Sequence, residues 1–396
     1  MSVQPIIYSA DQHLIDQRAV DSDALYVIQR LTEAGFTAYL VGGGVRDLLF
    51  RRKPKDFDIS TSARPEEVRR LFRNCLLIGR RFRLAHVRFG KKIIEVSTFR
   101  AGDPETDELI IHDNEWGNPE QDVLRRDFTI NGLYYDPGQH IVIDYVGGFA
   151  DIERQRLATI GVPEVRFRQD PVRMIRLLKF RARFNLEVEE NTERALWQCS
   201  AEIRKSSPAR VLEELLRMLE SGASAPFFEL MVDTNLLQQL MPHLATAFCA
   251  DYEGHEMRVA LQAIDLLHQR SRSTMARPVL VAALFWPLVR DLVQAHRDAE
   301  GRAPHLGEIL PLTEHLISEL LEGFPHFPKR LRWLATQTLL HQFRLTPLEP
   351  GRSARLRIPA EERSLAVELL RVRSVLDPTL VPIYEQLRGE RRARSR

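Results

Sequence analysis

The chain has 396 residues, 44% of them hydrophobic and 28% charged, with a net charge of +2. This is the profile of a globular protein of two or more domains and excludes a fibrous or disordered chain. The longest apolar run, residues 279–289, is interrupted by Pro287 and too short to cross a bilayer. It predicts a buried helix and no membrane association.

The balanced total hides two basic blocks. Residues 64–100 carry eleven Lys and Arg against three Glu, and residues 351–396 carry eleven Arg against six acids. Such blocks suit a polyanionic partner. Cys75, Cys199 and Cys249 have no Cys-x-x-Cys spacing, so a reducing compartment without a zinc site is expected. No basic-then-apolar signal opens the chain, which predicts a cytoplasmic location.

In chain order, residues 1–20 read as a loose arm. Residues 21–35 predict a helix with Asp21 or Ser22 as cap, Leu25, Ile28 and Leu31 on one face, and Gly35 as its stop. Strands near 37–42, 55–61, 83–89, 93–99 and 141–145, with helices near 45–51 and 65–73, describe a mixed α/β region. Residues 101–119 are polar and acidic, the pattern of a mobile loop. After Asp151 the strand signals fade. Asp170-Pro171 and Ser207-Pro208 each open a helix in cap-then-Pro order. Helical periodicity continues near 225–247, 253–270, 276–297, 308–322, 327–343 and 362–374, and the Arg-rich end is expected to be disordered.

Chemistry concentrates in the first half. Val41-Gly42-Gly43-Gly44-Val45-Arg46-Asp47 is a glycine turn that is neither a Walker A loop nor the spaced Rossmann fingerprint. It is followed by Lys55-Asp56-Phe57-Asp58-Ile59. Residues i and i+2 of a strand share a face, so Asp56 and Asp58 would converge while Phe57 and Ile59 enter the core. Two such carboxylates can hold divalent cations about 3.5–4 Å apart, the arrangement used in phosphoryl transfer. Bare backbone at Gly42 and Gly43 would let a triphosphate approach. An Asp-x-Asp or a glycine run alone marks a solvated turn. Their order and spacing point to catalysis.

Further along, Arg125-Arg126-Asp127-Phe128-Thr129-Ile130-Asn131 places Asp127 to complete the metal or general-base set and Arg126 to pair with triphosphate oxygens. Glu95 is a second candidate for the third carboxylate, ranked behind Asp127. His86 lacks a second His at ligand spacing. Asp170 and Arg173 stand three apart on one helix face, an acceptor and a fork of donors able to read the edge of a base. Asp170 would also serve as a plain helix cap.

These motifs, with Asp144-Tyr145-Val146-Gly147-Gly148 and Asp170-Pro171-Val172-Arg173-Met174-Ile175-Arg176, resemble in order those of the class II tRNA nucleotidyltransferase/poly(A) polymerase family, from about Ala38 to Glu220. The resemblance implies an α+β protein: a palm-like nucleotidyltransferase head with a small mixed sheet, then an all-α neck, body and tail. Expected boundaries are 1–35 for the arm and first helix, 36–150 for the head, 151–222 for the neck and 223–396 for the body and tail. It also implies two Mg²⁺ ions on Asp56 and Asp58, with Asp127 completing the catalytic set. Gly42, Gly43, Arg46 and Arg126 would hold the triphosphate, and Asp170, Arg173 and Arg176 would face the base.

One departure stands out. The family has Glu-Asp before the Pro, where this chain has Gln169-Asp170. The segment Leu76–Val87 resembles the stretch that marks poly(A) polymerases, and an HD-type phosphohydrolase signature is absent from the sequence. The expected activity is therefore addition of AMP from ATP to the 3′ ends of mRNA and other transcripts. RNA phosphates would meet Arg80, Arg81 and Arg83 and the tail residues Arg391, Arg392 and Arg394. CCA addition to tRNA and a non-catalytic RNA-binding role are the alternatives.

Overall fold

The computed structural model describes residues 4–79, 83–101, 115–271, 274–324, 327–348 and 358–394, without the side chains of 390–394. Arg80 and Arg81 lie outside the described residues, as do residues 102–114 of the expected loop. The chain divides into two compact units, Met1–Arg173 with Asn185–Cys199, and Met174–Phe184 with Ser200–Arg396.

The first unit is built on an eight-stranded sheet. Its strands are β1 (Ile6–Tyr8), β2 (Ala38–Val41), β3 (Asp58–Thr61), β4 (Cys75–Ile78), β5 (Leu84–Phe89) and β6 (Lys92–Thr98), and later β9 (Leu133–Asp136) and β10 (Ile141–Asp144). Between them β7 (Arg100–Ala101) and β8 (Glu115–Trp116) form a separate short pair. The order across the sheet is β1-β10-β9-β2-β3-β6-β5-β4. Only β3 and β6 run parallel, with Asp58 opposite Glu95 and Ser60 opposite Ser97; the other pairings are antiparallel.

Three strands join this sheet where no strand is expected from the sequence: β1 in the arm expected to be loose, β4 and β9. Each is three or four residues long, too short for alternation to register, and pairing with an existing strand supplies the order. The arm is pinned further by His13, whose Nε2 lies 3.1 Å from the His140 carbonyl.

Helix α1 (Ser22–Glu33) begins at Asp21, whose Oδ1 accepts the Asp23 N–H at 2.9 Å. It buries Ala24, Val27, Ile28 and Leu31. Helix α2 (Gly43–Leu49) links β2 to β3, and α3 (Pro65–Leu71) links β3 to β4. Helix α4 (Pro119–Leu124) starts with a reciprocal cap between Asn118 and Gln121. It covers part of one sheet face, where Val41, Phe99, Val123, Tyr134 and Ile143 form a buried cluster. Burying each such side chain contributes about 1.5–3 kcal/mol.

Helices α5 (Gly148–Glu153), α6 (Pro163–Gln169) and α8 (Glu190–Cys199) also belong to this unit, as does the start of α7 (Val172–Phe184). The Asp144 motif has a structural role. Asp144 Oδ1 accepts the N–H groups of Val146, Gly147 and Gly148 at 2.8–3.1 Å, and Oδ2 that of Phe149 at 2.9 Å. Gly148 is required because a Cβ there would stand 2.1 Å from the Thr129 carbonyl oxygen. This close approach holds the turn Thr129–Asn131 in place.

The second unit is helical in its described residues. Helix α9 (Pro208–Leu219) buries Leu212, Leu215, Leu216 and Leu219, as its stripe predicts. The expected helix over 225–247 is three: α10 (Ser224–Asp233), α11 (Leu236–Leu240) and α12 (Pro242–Cys249). They are broken by Asn235, at φ 60, and by Pro242. Next come α13 (Asp251–Ser271) and α14 (Arg277–Glu300). Helix α14 is, among the described residues, the single helix long and apolar enough to span a membrane, but Val279–Val289 is buried. It runs through Pro287 as a core helix.

Helices α15 (Leu306–Leu320), α16 (Lys329–Leu340), α17 (Gln342–Leu345), α18 (Ala360–Leu376) and α19 (Val381–Arg394) follow. The backbone is helical through Arg394, which corrects the expectation of a disordered end. The side chains of Arg391, Arg392 and Arg394 lie outside the described residues.

Candidate active site

Five strands place the acidic face. In the β3–β6 register Asp58 lies beside Glu95, and two residues on, Ser60 lies beside Ser97 on the same face. Ser60 Oγ and Ser97 Oγ are 3.0 Å apart. Val41 is opposite both Asp58 and Tyr134, so these side chains share that face. His86 pairs with Glu95 across β5 and β6, its Nε2 3.5 Å from Glu95 Oε1.

Strand β3 begins at Asp58 and not at Lys55, so Asp56 sits on the approach to the strand. Its backbone is close to the glycine turn: a Cβ on Gly44 would meet the Asp56 carbonyl at 3.4 Å and the Phe57 ring at 3.6 Å. Asp58 is exposed at the start of its strand, with protein atoms crowded around its carboxyl. Loss of water there, then the Glu95 and Asp56 charges, push its pKa up to about 6, with Arg126 acting in the opposite sense. Like charges held at one point in this way are relieved by a cation. Asp56, Asp58 and Glu95 offer the hard oxygen donors that Mg²⁺ takes, although no three His, Cys, Asp or Glu groups among the described residues converge as a ready ligand cluster.

The glycine turn bends at Gly42, with φ 67 and ψ −129, a backbone state that side chains disfavour. A Cβ at Gly42 would meet Arg126 Nη1 at 3.3 Å. Arg126 thus faces the bare turn, with its Nη2 donating to Ser60 Oγ at 3.3 Å and Asp122 Oδ2 at 2.8 Å. Arg46, expected beside the phosphates, is buried. It donates from Nε and Nη2 to Asp47 Oδ1 at 2.9 and 2.6 Å and from Nη1 to Asn131 Oδ1 at 2.7 Å. Asn131 Nδ2 in turn donates to Asp127 Oδ1 at 2.9 Å, which also accepts the Phe128 N–H. Arg46 therefore braces Asp127 through Asn131, a link that no local spacing announces.

Asp127 is buried and its charge acts on Arg166. The carboxylates whose charges act on Asp58 are Glu95 and Asp56. Around Asp127 lies a group of arginines. Arg166 donates to the Arg125 and Arg126 carbonyls, both at 2.7 Å, and to Gln169 Oε1 at 2.9 Å. Arg173 donates to the Arg166 carbonyl at 2.9 Å and the Arg125 carbonyl at 3.3 Å. Gln169 thus holds Arg166, and the Arg166 backbone helps to orient Arg173. Burial, then neighbouring guanidinium groups, lower Arg125 and Arg166 to about 10. Asp170 caps the end of α6 and, with Asp127, offsets the charge of Arg166.

Arg176 belongs to the second unit, where it lies 3.8 Å from Glu214 and 5.9 Å from the Phe180 ring centre. Lys179 pairs with the same Glu214. Arg83 is exposed and paired with Glu66 at 2.6 Å.

The sheet, the glycine turn and the acidic face define a nucleotidyltransferase, and solved structures agree. The CCA-adding enzyme of Bacillus stearothermophilus in complex with CTP matches 92% of this chain and 80% of its own, at TM-score 0.62 and 25% identity. Residues 38–158 match the "Poly A polymerase head domain" and residues 185–248 the "Probable RNA and SrmB- binding site of polymerase A". Poly(A) polymerase I of Salmonella typhi is 37% identical over 94% of this chain and 82% of its own length. That of Escherichia coli O6:H1 is 36% identical over 94% and 83%. A CCA-adding enzyme of Lactobacillus helveticus is 37% identical over 55% of this chain and 54% of its own. The chain belongs to the poly(A) polymerase family.

Proposed function

We propose that the protein transfers AMP from ATP to RNA 3′ ends without a template, releasing pyrophosphate. The observation that carries this is the pairing of Asp58 with Glu95 beside a glycine turn faced by Arg126. The RNA 3′-hydroxyl oxygen attacks the α-phosphorus as the bond to the β-phosphate oxygen breaks. The hydroxyl proton passes to Asp127, the general-base candidate of the set. Asp56 and Asp58 would hold two Mg²⁺ ions, with Glu95 beside them; such ions would supply charge neutralisation and lower the pKa of the attacking hydroxyl.

Gly42, Gly43 and Arg126 receive the triphosphate, with Arg46 contributing its charge next to Gly43 while bracing Asn131. Asp127 completes the set from the arginine side. Asp170, Arg173 and Arg176 read the base. Arg83, the neighbouring Arg80 and Arg81, and Arg391, Arg392 and Arg394 grip RNA phosphates.

Similarity along nearly the whole chain to poly(A) polymerase I, against about half for a CCA-adding enzyme, favours a homopolymeric tail on mRNA and other transcripts. The test is to incubate the protein with a generic RNA, and with tRNA lacking its CCA end, under ATP alone, CTP alone or both. Long tails from ATP alone support the proposal. A product that stops after three nucleotides, or one that needs CTP and tRNA, overturns it in favour of CCA addition.

A further inference from the structure

Two side chains next to the site have no part in the reaction as described: Asp122 on α4 and Tyr134 on β9. Asp122 Oδ2 receives two donors, Arg126 Nη2 at 2.8 Å and the Tyr134 hydroxyl at 3.0 Å. The same hydroxyl lies 3.0 Å from the Pro119 carbonyl at the start of α4. Asp122 Oδ1 accepts the Arg100 N–H at 3.2 Å. Both carboxylate oxygens are therefore engaged, and the carboxylate cannot turn without losing a partner.

Arg126 is fixed from behind by this carboxylate and from below by the Tyr134 ring, 5.6 Å from its guanidinium carbon. Its front reaches Ser60 Oγ and the bare backbone of Gly42. Burial is the largest influence and opposes the charge on Arg126, but Asp122 and Tyr134 together outweigh it and the pKa is raised. A free arginine loses up to about 2 kcal/mol of side-chain entropy when a ligand orders it. Here that ordering precedes any ligand.

We propose that Asp122, seated by Tyr134, is the positioning residue that aims Arg126 across Gly42 at the nucleotide phosphates. This rests on the reading of Arg126 as a triphosphate ligand. Asp122 touches no substrate atom itself. Its loss should cost nucleotide affinity through Arg126 and leave the chemical step almost untouched.

The test is equilibrium titration with MgATP in the absence of RNA, paired with KM, kcat and melting temperature. The proteins are the wild type, Arg126→Ala, Asp122→Ala, the double variant and Tyr134→Phe. Asp122→Ala should weaken ATP binding about tenfold, the effect of one lost charge-assisted hydrogen bond. KM should rise by a similar factor, with kcat within about threefold. In the double variant affinity should fall no further than in Arg126→Ala alone, since the two residues act as one unit.

Tyr134→Phe removes a single hydroxyl and should lose about two- to threefold. If Asp122→Ala does not fold, combining Tyr134→Phe with Arg126→Ala provides the same cycle. Additive losses, or a lower melting temperature with wild-type ATP affinity, overturn the proposal and leave Asp122 a structural tie. Wild-type ATP affinity in Arg126→Ala would overturn the underlying triphosphate reading as well, an outcome separable from the first.

Discussion

At the scale of single residues, Asp58 on β3 bears the repulsion of Glu95 on β6 and of Asp56 on the approach to the strand. Asp56→Asn or Asp58→Asn should lower nucleotide transfer by several powers of ten, as expected when a metal-holding group is lost, and leave RNA binding largely intact. Primer extension together with a filter-binding assay checks this; more than a few per cent of wild-type extension would refute the assignment. Burial and the Glu95 and Asp56 charges push the Asp58 carboxyl up to about 6. Protons and Mg²⁺ compete for it, so Mg²⁺ affinity should rise with pH through about 6 and then level off. Removing a neighbouring negative charge lets Asp58 ionise at lower pH. Glu95→Gln should therefore move the midpoint of that rise toward the ordinary 3.8. A midpoint that does not move would mean that Glu95 does not act on Asp58.

Elements carry the second level of organisation. Helix α4 packs Val123 against Val41, Phe99, Tyr134 and Ile143, and α5 is seated on the Thr129 carbonyl only because residue 148 is glycine. In the second unit, His341 lies between α16 and α17, its Nε2 2.7 Å from Glu362 Oε2 on α18. Its Nδ1 is buried without a partner. That pattern fits a neutral ring donating from Nε2, with the tautomer assigned from the contact. Burial lowers its pKa below the ordinary 6.5, Glu362 opposing and Arg344 assisting. Just below pH 6.5 the unfolded chain thus binds a proton that the folded chain refuses. Unfolding free energy should rise with pH across that window and be flat above it. His341→Gln should show a smaller drop in melting temperature between pH 7.5 and 5.5 than the wild type. An equal drop would assign the acid sensitivity elsewhere.

For the molecule as a whole, catalysis is concentrated in the first unit and basic character extends along the sequence. A tail-adding enzyme has to hold successive nucleotides of single-stranded RNA without reading them, and phosphate contacts from arginine do this. Deleting residues 388–396 removes five arginines together with the last turns of α19. Tails should shorten and single-nucleotide addition should persist. The slope of log affinity against log salt should become shallower by roughly 0.7 per lost phosphate contact. Unchanged tail length and slope in the truncated protein would remove the C-terminus from the RNA-binding surface.

The sequence by itself determined the features that depend on near neighbours along the chain. These are the glycine turn before Asp56 and Asp58, the cap-then-Pro openings of helices, the stripe of α9 and the change from mixed α/β to helical character. Spacing, capping and periodicity are local, so they survive in a one-dimensional record. Only the tertiary structure decided which distant groups meet. The parallel β3–β6 register brings Glu95 to Asp58, while Asp127 is drawn toward Asn131 and Arg166. Arg46 is turned inward, Gln169 accepts from Arg166, and β1, β4 and β9 exist because a partner strand was there to pair with them. Their physical reason is the same: a hydrogen bond or charge pair formed across tens of residues depends on where the fold places its two ends, and no local pattern encodes that.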